Sequence, residues 1–303
     1  MPAKGVSRVG GLGTAVGACL LLVAGLSACG SSSAPSPAEP KPSRSARGPA
    51  SGTSGTKATA PDRPAPTGVR LPPRHAGFDY QIGGAYPPPA GVRIVSRDRT
   101  APPAPGLYNI CYVNAFQAQP DERGSWPADL LLRDARGKVV VDEDWGEALL
   151  DIRTPAKRAR VAARIGTWID GCAAKGYDAV EPDNYDSYTR SRHLLSANDA
   201  TAFITLLSRR AHARHLAIGQ KNTVELAGLR KRTGLDFAVA EECAEYDECG
   251  TYAKAFDDRV LVIEYSDSGL RKALAGFGGR LSIVRRDVMV STPGSGHYVR
   301  KVR

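Results

Sequence analysis

Between residues 75 and 303, short apolar runs alternate with stretches in which apolar side chains recur every three or four positions. Phe78-Asp79-Tyr80-Gln81-Ile82, Arg93-Ile94-Val95-Ser96 and the run from Leu107 to Val113 read as strands. Thr154-Pro155 is a helix start signal, and Val161, Ile165, Trp168, Ile169 and Cys172 fall at helical spacing, which predicts a helix over about 155–174. Tyr177-Asp178-Ala179-Val180 follows as a strand. A second helix is predicted from about Asn198, its expected cap, to Arg214, with Phe203, Ile204, Leu207 and Ala211 on one face. The alternation then repeats, with strands at 216–219, 236–240, 260–263 and 281–284 separated by helical stretches. The pattern predicts an α/β fold, a single (β/α)8 TIM barrel with its parallel sheet inside and its helices outside. An open doubly wound sheet would carry a Gly-rich first turn that the chain lacks.

The front of the chain is of another kind. Lys4 and Arg8 precede an apolar run through Leu20–Val23 that is too short and Gly-rich to span a membrane well. Residues 1–28 are therefore expected to be a signal peptide. Leu26-Ser27-Ala28-Cys29-Gly30 resembles a bacterial lipobox, which implies lipidation at Cys29 and an exported, membrane-anchored cell-surface lipoprotein. An ordinary secretory signal is the alternative. From 29 to 74 the composition is Ser, Pro, Ala, Gly and Thr with few large apolar side chains, as expected of a disordered tether. The folded domain is expected at 75–303.

The net charge of +10 changes little once it is located. Residues 1–74 carry nine Lys/Arg against two Asp/Glu, so about +3 remains for the rest, and no nucleic-acid partner is implied. A monomer is expected. Setting aside Cys19 and Cys29, an exported chain with Cys111, Cys172, Cys243 and Cys249 is expected to pair them. Three connectivities are open. The preferred one joins Cys243 to Cys249 in a short local loop, leaving Cys111 with Cys172. Neither a CxxC nor a nearby His supports a zinc site, and no cofactor is expected.

Candidate chemistry lies at the ends of the strands, where barrels collect it. Those ends read Asp79-Tyr80-Gln81, Glu181-Pro182-Asp183-Asn184, Gln220-Lys221-Asn222, Glu241-Glu242-Cys243 and Glu264-Tyr265. Alternation turns Glu181 and Asp183 the same way. One of that pair, facing one of Glu241 and Glu242 across the mouth, is the arrangement that glycoside hydrolysis requires. The same acids would also suit Mg²⁺ or Ca²⁺, or structural salt bridges. Tyr80, Tyr86, Trp145, Tyr185, Tyr188, Tyr246 and Tyr265 lie on or near strand ends, where sugars stack and where ordinary packing also places rings. His193, His212 and His215 form no triad.

Five ordered stretches, Phe78 to Gly84, Asp151-Ile152-Arg153, Gly176 to Asn184, Ile218 to Asn222, and Glu241-Glu242-Cys243 with Tyr246 and Glu248-Cys249, together resemble glycoside hydrolase family 114. The resemblance runs from about residue 77 to 266. It implies a TIM-barrel endo-α-1,4-polygalactosaminidase with two catalytic acids, at the ends of the fourth and sixth strands, here Asp183 and Glu241. It also fits the Cys243–Cys249 pairing. The substrate implied is a polysaccharide of galactosamine, cationic where deacetylated. Asp79, Tyr80, Trp145, Arg153, Glu181, Asn184, Asp186, Lys221, Asn222, Glu242, Tyr246 and Glu264 are expected to bind it. A non-catalytic sugar-binding lipoprotein and a barrel hydrolase of neutral α-glycans are the alternatives.

Overall fold

The structure, a computed structural model, describes residues 68–302. The expected signal peptide, Cys29 and most of the expected tether lie outside the described residues. Eight parallel strands form one sheet in chain order: β1 Gly77–Gln81, β2 Val92–Asp98, β3 Tyr108–Asn114, β4 Ala179–Asp183, β5 Ala217–Lys221, β6 Phe237–Glu241, β7 Val260–Glu264 and β8 Ser282–Arg286. The sheet curls until β8 lies alongside β1. There the seam is closed by other groups: Ala76 N donates to Ser282 Oγ at 2.9 Å, and Arg300 to the Phe78 carbonyl at 3.2 Å. The segment Arg300–Lys301 pairs antiparallel with β8. The fold is a TIM-barrel-like α/β fold.

Alternation along the strands sorts the core into two shells. Phe78, Ile94, Tyr108, Ile110, Phe237, Val239, Leu261, Ile263 and Val284 fill the inside. Val113, Val180, Ile218, Ala238, Ala240 and Val262 face outward against the helices. Gly219 faces inward, and a Cβ there would come within 2.8 Å of the Phe237 ring, so the absent side chain lets Phe237 fill the centre.

The helices are α1 Pro155–Lys175, α2 Ala197–His212, α3 Arg230–Thr233, α4 Cys249–Phe256 and α5 Asp267–Phe277. Thr154 caps α1, accepting from Lys157 N, with Pro155 in the first turn. The cap of α2 is Ser196, in a capping box with Asp199, and not Asn198. Cys111 of β3 is bonded to Cys172 of α1, tying the helix to the sheet, and Cys243 to Cys249 closes the loop after β6.

Three features depart from a regular (β/α)8 barrel. The β1–β2 and β2–β3 connections have no helix, because Pro87-Pro88-Pro89 and Pro102-Pro103 with Pro105 remove the amide donors a helix needs. Between β3 and α1 an insertion builds a small antiparallel sheet from Gln117–Ala118, Val141–Asp142 and Glu147–Leu149. Residues 69–74, expected to be tether, instead join the fold. Val69 and Leu71 pack against the interior cluster, Arg70 pairs with Asp178 at 3.1 Å, and the Arg70 carbonyl accepts from Tyr108 Oη at 2.8 Å. The folded part thus begins by residue 69 rather than at 75.

Candidate active site

The inward-facing positions change character along the barrel. They are apolar at its base and become Tyr80, Ser96, Tyr112, Glu181, Asp183, Lys221 and Glu241 at the C-terminal ends of the strands, where Tyr265 follows β7. At the centre is Lys221, on β5 and almost wholly buried. Its Nζ stands 3.1 Å from Asp183 Oδ1, 3.4 Å from Glu181 Oε1 and 3.4 Å from Glu241 Oε2. Tyr80 Oη lies 3.0 Å from the same nitrogen, which also sits over the Tyr80 and Tyr112 rings. The two neighbouring strands thus bring their acids onto one ammonium group.

Each carboxylate has its own support. Asp183 accepts from Tyr112 Oη at 2.7 Å. Glu241 accepts from Tyr265 Oη at 2.5 Å and from Asn222 Nδ2 at 2.9 Å, while its own N–H donates to Asn222 Oδ1 at 2.9 Å. Glu181 accepts from Tyr80 at 2.8 Å and Ser96 at 2.6 Å.

These environments separate the acids. Burial pushes Asp183 up, but the Lys221 charge, the Tyr112 hydroxyl and the Asn184 N–H hold its carboxyl below the ordinary value. Glu181 has no exposed surface, and burial outweighs Lys221 and the two hydroxyls, raising it to about 6. Burial pulls Lys221 down, yet Asp183, Glu241 and Glu181 hold it well above the ordinary lysine value. The place a divalent cation would take among the three carboxylates is thus filled by an ammonium group. A further grouping of metal-type side chains among the described residues, Cys243, Cys249 and Glu264, has both sulfurs in a disulfide.

Several expected substrate-binding residues lie elsewhere. Asp79 is fully buried with the opposite alternation to Tyr80 and is held by Arg300 at 3.0 Å, Arg286 at 3.7 Å, Gln81 and Tyr86. Glu264 is turned outward and accepts from the Ala244 N–H at 2.9 Å. Arg153 is bound by Asp151 at 2.7 Å just before α1. Asp186 is paired with Arg190, which also reaches Asp142 at 2.7 Å, so it braces the loop after β4. Glu242 leaves β6 at φ 55°, out of reach of Lys221, and burial and the adjacent Glu241 raise its pKa. Trp145 and Tyr246 stand exposed on loops beyond β3 and β6.

Other residues join the site without having been singled out in the sequence. Tyr112 and Ser96 follow from alternation, being inward positions near the ends of β3 and β2. Asn114, two residues beyond Tyr112 at the end of β3, follows from the same alternation, whereas Glu147, on the insertion, has no such signal. Asn114 Nδ2 donates to Glu147 Oε2 at 2.7 Å, and Asn184, in the left-handed region at φ 66°, donates to Asn114 Oδ1 at 3.0 Å.

Comparison with known proteins identifies the family. The profile of glycoside hydrolase family GH114 matches residues 58–300. The crystal structure of Aspergillus fumigatus Ega3 in complex with galactosamine is similar, with a TM-score of 0.63 and 25% sequence identity, covering 76% of this chain and 98% of that one. The glycoside hydrolase domain of Pseudomonas aeruginosa PelA gives a TM-score of 0.48 at 17% identity, covering 74% of this chain and 98% of that one. No curated protein sequence matches the chain.

Proposed function

The chain belongs to glycoside hydrolase family GH114, and from that premise we propose that it cleaves α-1,4-linked galactosamine polymers from within, using Asp183 and Glu241 as its carboxylate pair. The observation that carries this reading is the single Lys221 ammonium bonded to acids from β4 and β6 in one hollow. Asp183, held ionised by Lys221, attacks the anomeric carbon. The bond from that carbon to the linking oxygen breaks as Glu241 gives the oxygen a proton. Glu241 then takes a proton from water, whose oxygen displaces Asp183 and restores both groups.

The charge of the site favours an amino sugar. Glu181 and Asp183 outnumber the one central cation even when Glu241 carries the proton it donates, and Glu147 and Glu242 add to the negative field, which draws a polymer of ammonium-bearing sugars. The likeness to a galactosamine-bound Ega3 structure supports the same substrate class. Trp145, on the insertion after β3, and Tyr246, on the loop after β6, are exposed and offer ring faces to further sugar units, as an endo-acting enzyme needs. For the cell we propose an exported lipoprotein anchored through Cys29, on the strength of the Leu-Ser-Ala-Cys-Gly stretch and the basic, apolar leader.

Product analysis tests the reading. Purified protein added to defined α-1,4-linked galactosamine oligomers is expected to give several shorter oligomers early in the reaction. Binding without product would point to a sugar-binding protein, and preference for a neutral α-glycan to another barrel hydrolase. Either result contradicts the proposal.

A further inference from the structure

The three central carboxylates are poorly placed to take a second cation. Lys221 Nζ is already within 3.4 Å of Glu181, Asp183 and Glu241, so a substrate ammonium among the same oxygens would face the lysine charge at short range. An amino sugar needs a carboxylate at the mouth that Lys221 does not hold. Glu147 meets that need.

Glu147 enters from the insertion after β3 and is partly exposed. Asn114 donates to its Oε2 at 2.7 Å, and Asn184 Nδ2 lies 3.4 Å from the same oxygen. Among the described residues nothing donates to Oε1, and no Lys or Arg forms a salt bridge with Glu147. Burial raises its pKa, Asn114 opposes that, the charges of Asp183 and Asp142 raise it further, and the charge of Arg190, spent on Asp142 and Asp186, lowers it least. Glu147 therefore feels the attacking carboxylate as a like charge that a cation between them would relieve. The chemistry of the sugar fits this placement. The amino group is on the carbon next to the anomeric one, so a group on the flank of Asp183 can reach it. Glu242, also outside the lysine's reach, leaves β6 instead, and Asp186 is taken by Arg190.

We propose that Glu147 determines specificity, with Oε1 accepting the ammonium group of the galactosamine unit bound against Asp183, so that the deacetylated sugar is selected over its N-acetyl form. This rests on the hydrolase reading above. N-acetylation removes the charge and sets a carbonyl and a methyl beside the carboxylate, which loses the charge-assisted bond.

The test compares wild type with Glu147→Gln on fully deacetylated and fully N-acetylated α-1,4-linked galactosamine oligomers, by kcat/KM and by calorimetric affinity. The deacetylated-to-acetylated ratio is expected to fall roughly 30-fold in the variant. Glu147→Asp, which keeps the charge on a shorter arm, is expected to recover part of it, and it takes the place of the Gln variant should that fail to fold. Equal losses on both oligomers, or an unchanged ratio, overturn the proposal. If wild type cleaves neither oligomer, the hydrolase reading fails, and calorimetry then decides this inference by itself. A roughly tenfold or greater selective loss of affinity for the deacetylated oligomer supports it, and equal affinities overturn it.

Discussion

Lys221 Nζ and Asp183 Oδ1 stand 3.1 Å apart at the mouth of the barrel, on adjacent strands. Burial alone would push the aspartate up, and the lysine is the largest influence holding it down. Lys221→Met should therefore raise the Asp183 pKa. Because attack requires the ionised form, the acid limb of the kcat/KM profile should move to higher pH and the maximum fall by about 10² or more. An acid limb unmoved in a folded variant would mean that the lysine does not tune this aspartate.

Asp79 should behave as a structural residue. Its carboxylate faces Arg286, which has no exposed surface, and the largely buried Arg300. Asp79→Ala leaves Arg300 without its carboxylate and Arg286 with only the more distant Asp287 at 3.8 Å, and is expected to cost about 3 kcal/mol in denaturant unfolding, with KM for the oligomer little changed. A stable variant with raised KM would return Asp79 to the substrate site.

Glu264 gives a pH signature. Burial raises its carboxyl to about 7, with the Ala244 N–H opposing, and its Oε2 is buried without a partner. The native state keeps this proton up to about pH 7, whereas the unfolded chain releases it near the ordinary value of 4.5. Stability should thus fall as pH rises between those values and level off above. Glu181, raised to about 6, adds to the same slope. Glu264→Gln should gain on wild type by on the order of 2 kcal/mol between pH 5 and pH 8. A constant difference across that range would show that Glu264 does not retain its proton.

The bridging lysine also bears on the stereochemical outcome. The oxygens of Asp183 and Glu241 nearest to Nζ are 3.1 Å and 3.4 Å from it, so their separation cannot exceed those two lengths end to end. Oxygens held that close accommodate the roughly 5–5.5 Å carboxyl separation of a retaining pair, the geometry in which Asp183 attacks directly. Time-resolved NMR of the new reducing end is expected to show the α anomer first.

Much of this was legible in the chain. All eight barrel strands lie within a few residues of where the apolar runs place them, because inside and outside shells both demand apolar side chains at fixed alternation. The same alternation separates Glu241 from Glu242 and Tyr80 from Asp79, and it would have set Glu264 outside the mouth. The insertion was not legible. Strands of two and three residues carry no periodicity, so nothing in the sequence sent Glu147 toward Asn114. Residues 69–74 were misread for a related reason. Two apolar side chains in a Pro-rich stretch are too few for a compositional signal, yet Val69 and Leu71 suffice to dock it.

Turnover of defined α-1,4-linked galactosamine oligomers by Asp183→Asn and Glu241→Gln, beside Glu242→Gln, tests the central claim most directly. Because the first two residues are bonded to Lys221 and the third is not, each of the first two changes is predicted to lower kcat by about 10³ or more, and the third by less than about tenfold. Near-normal turnover in a folded Asp183→Asn or Glu241→Gln protein would contradict the account.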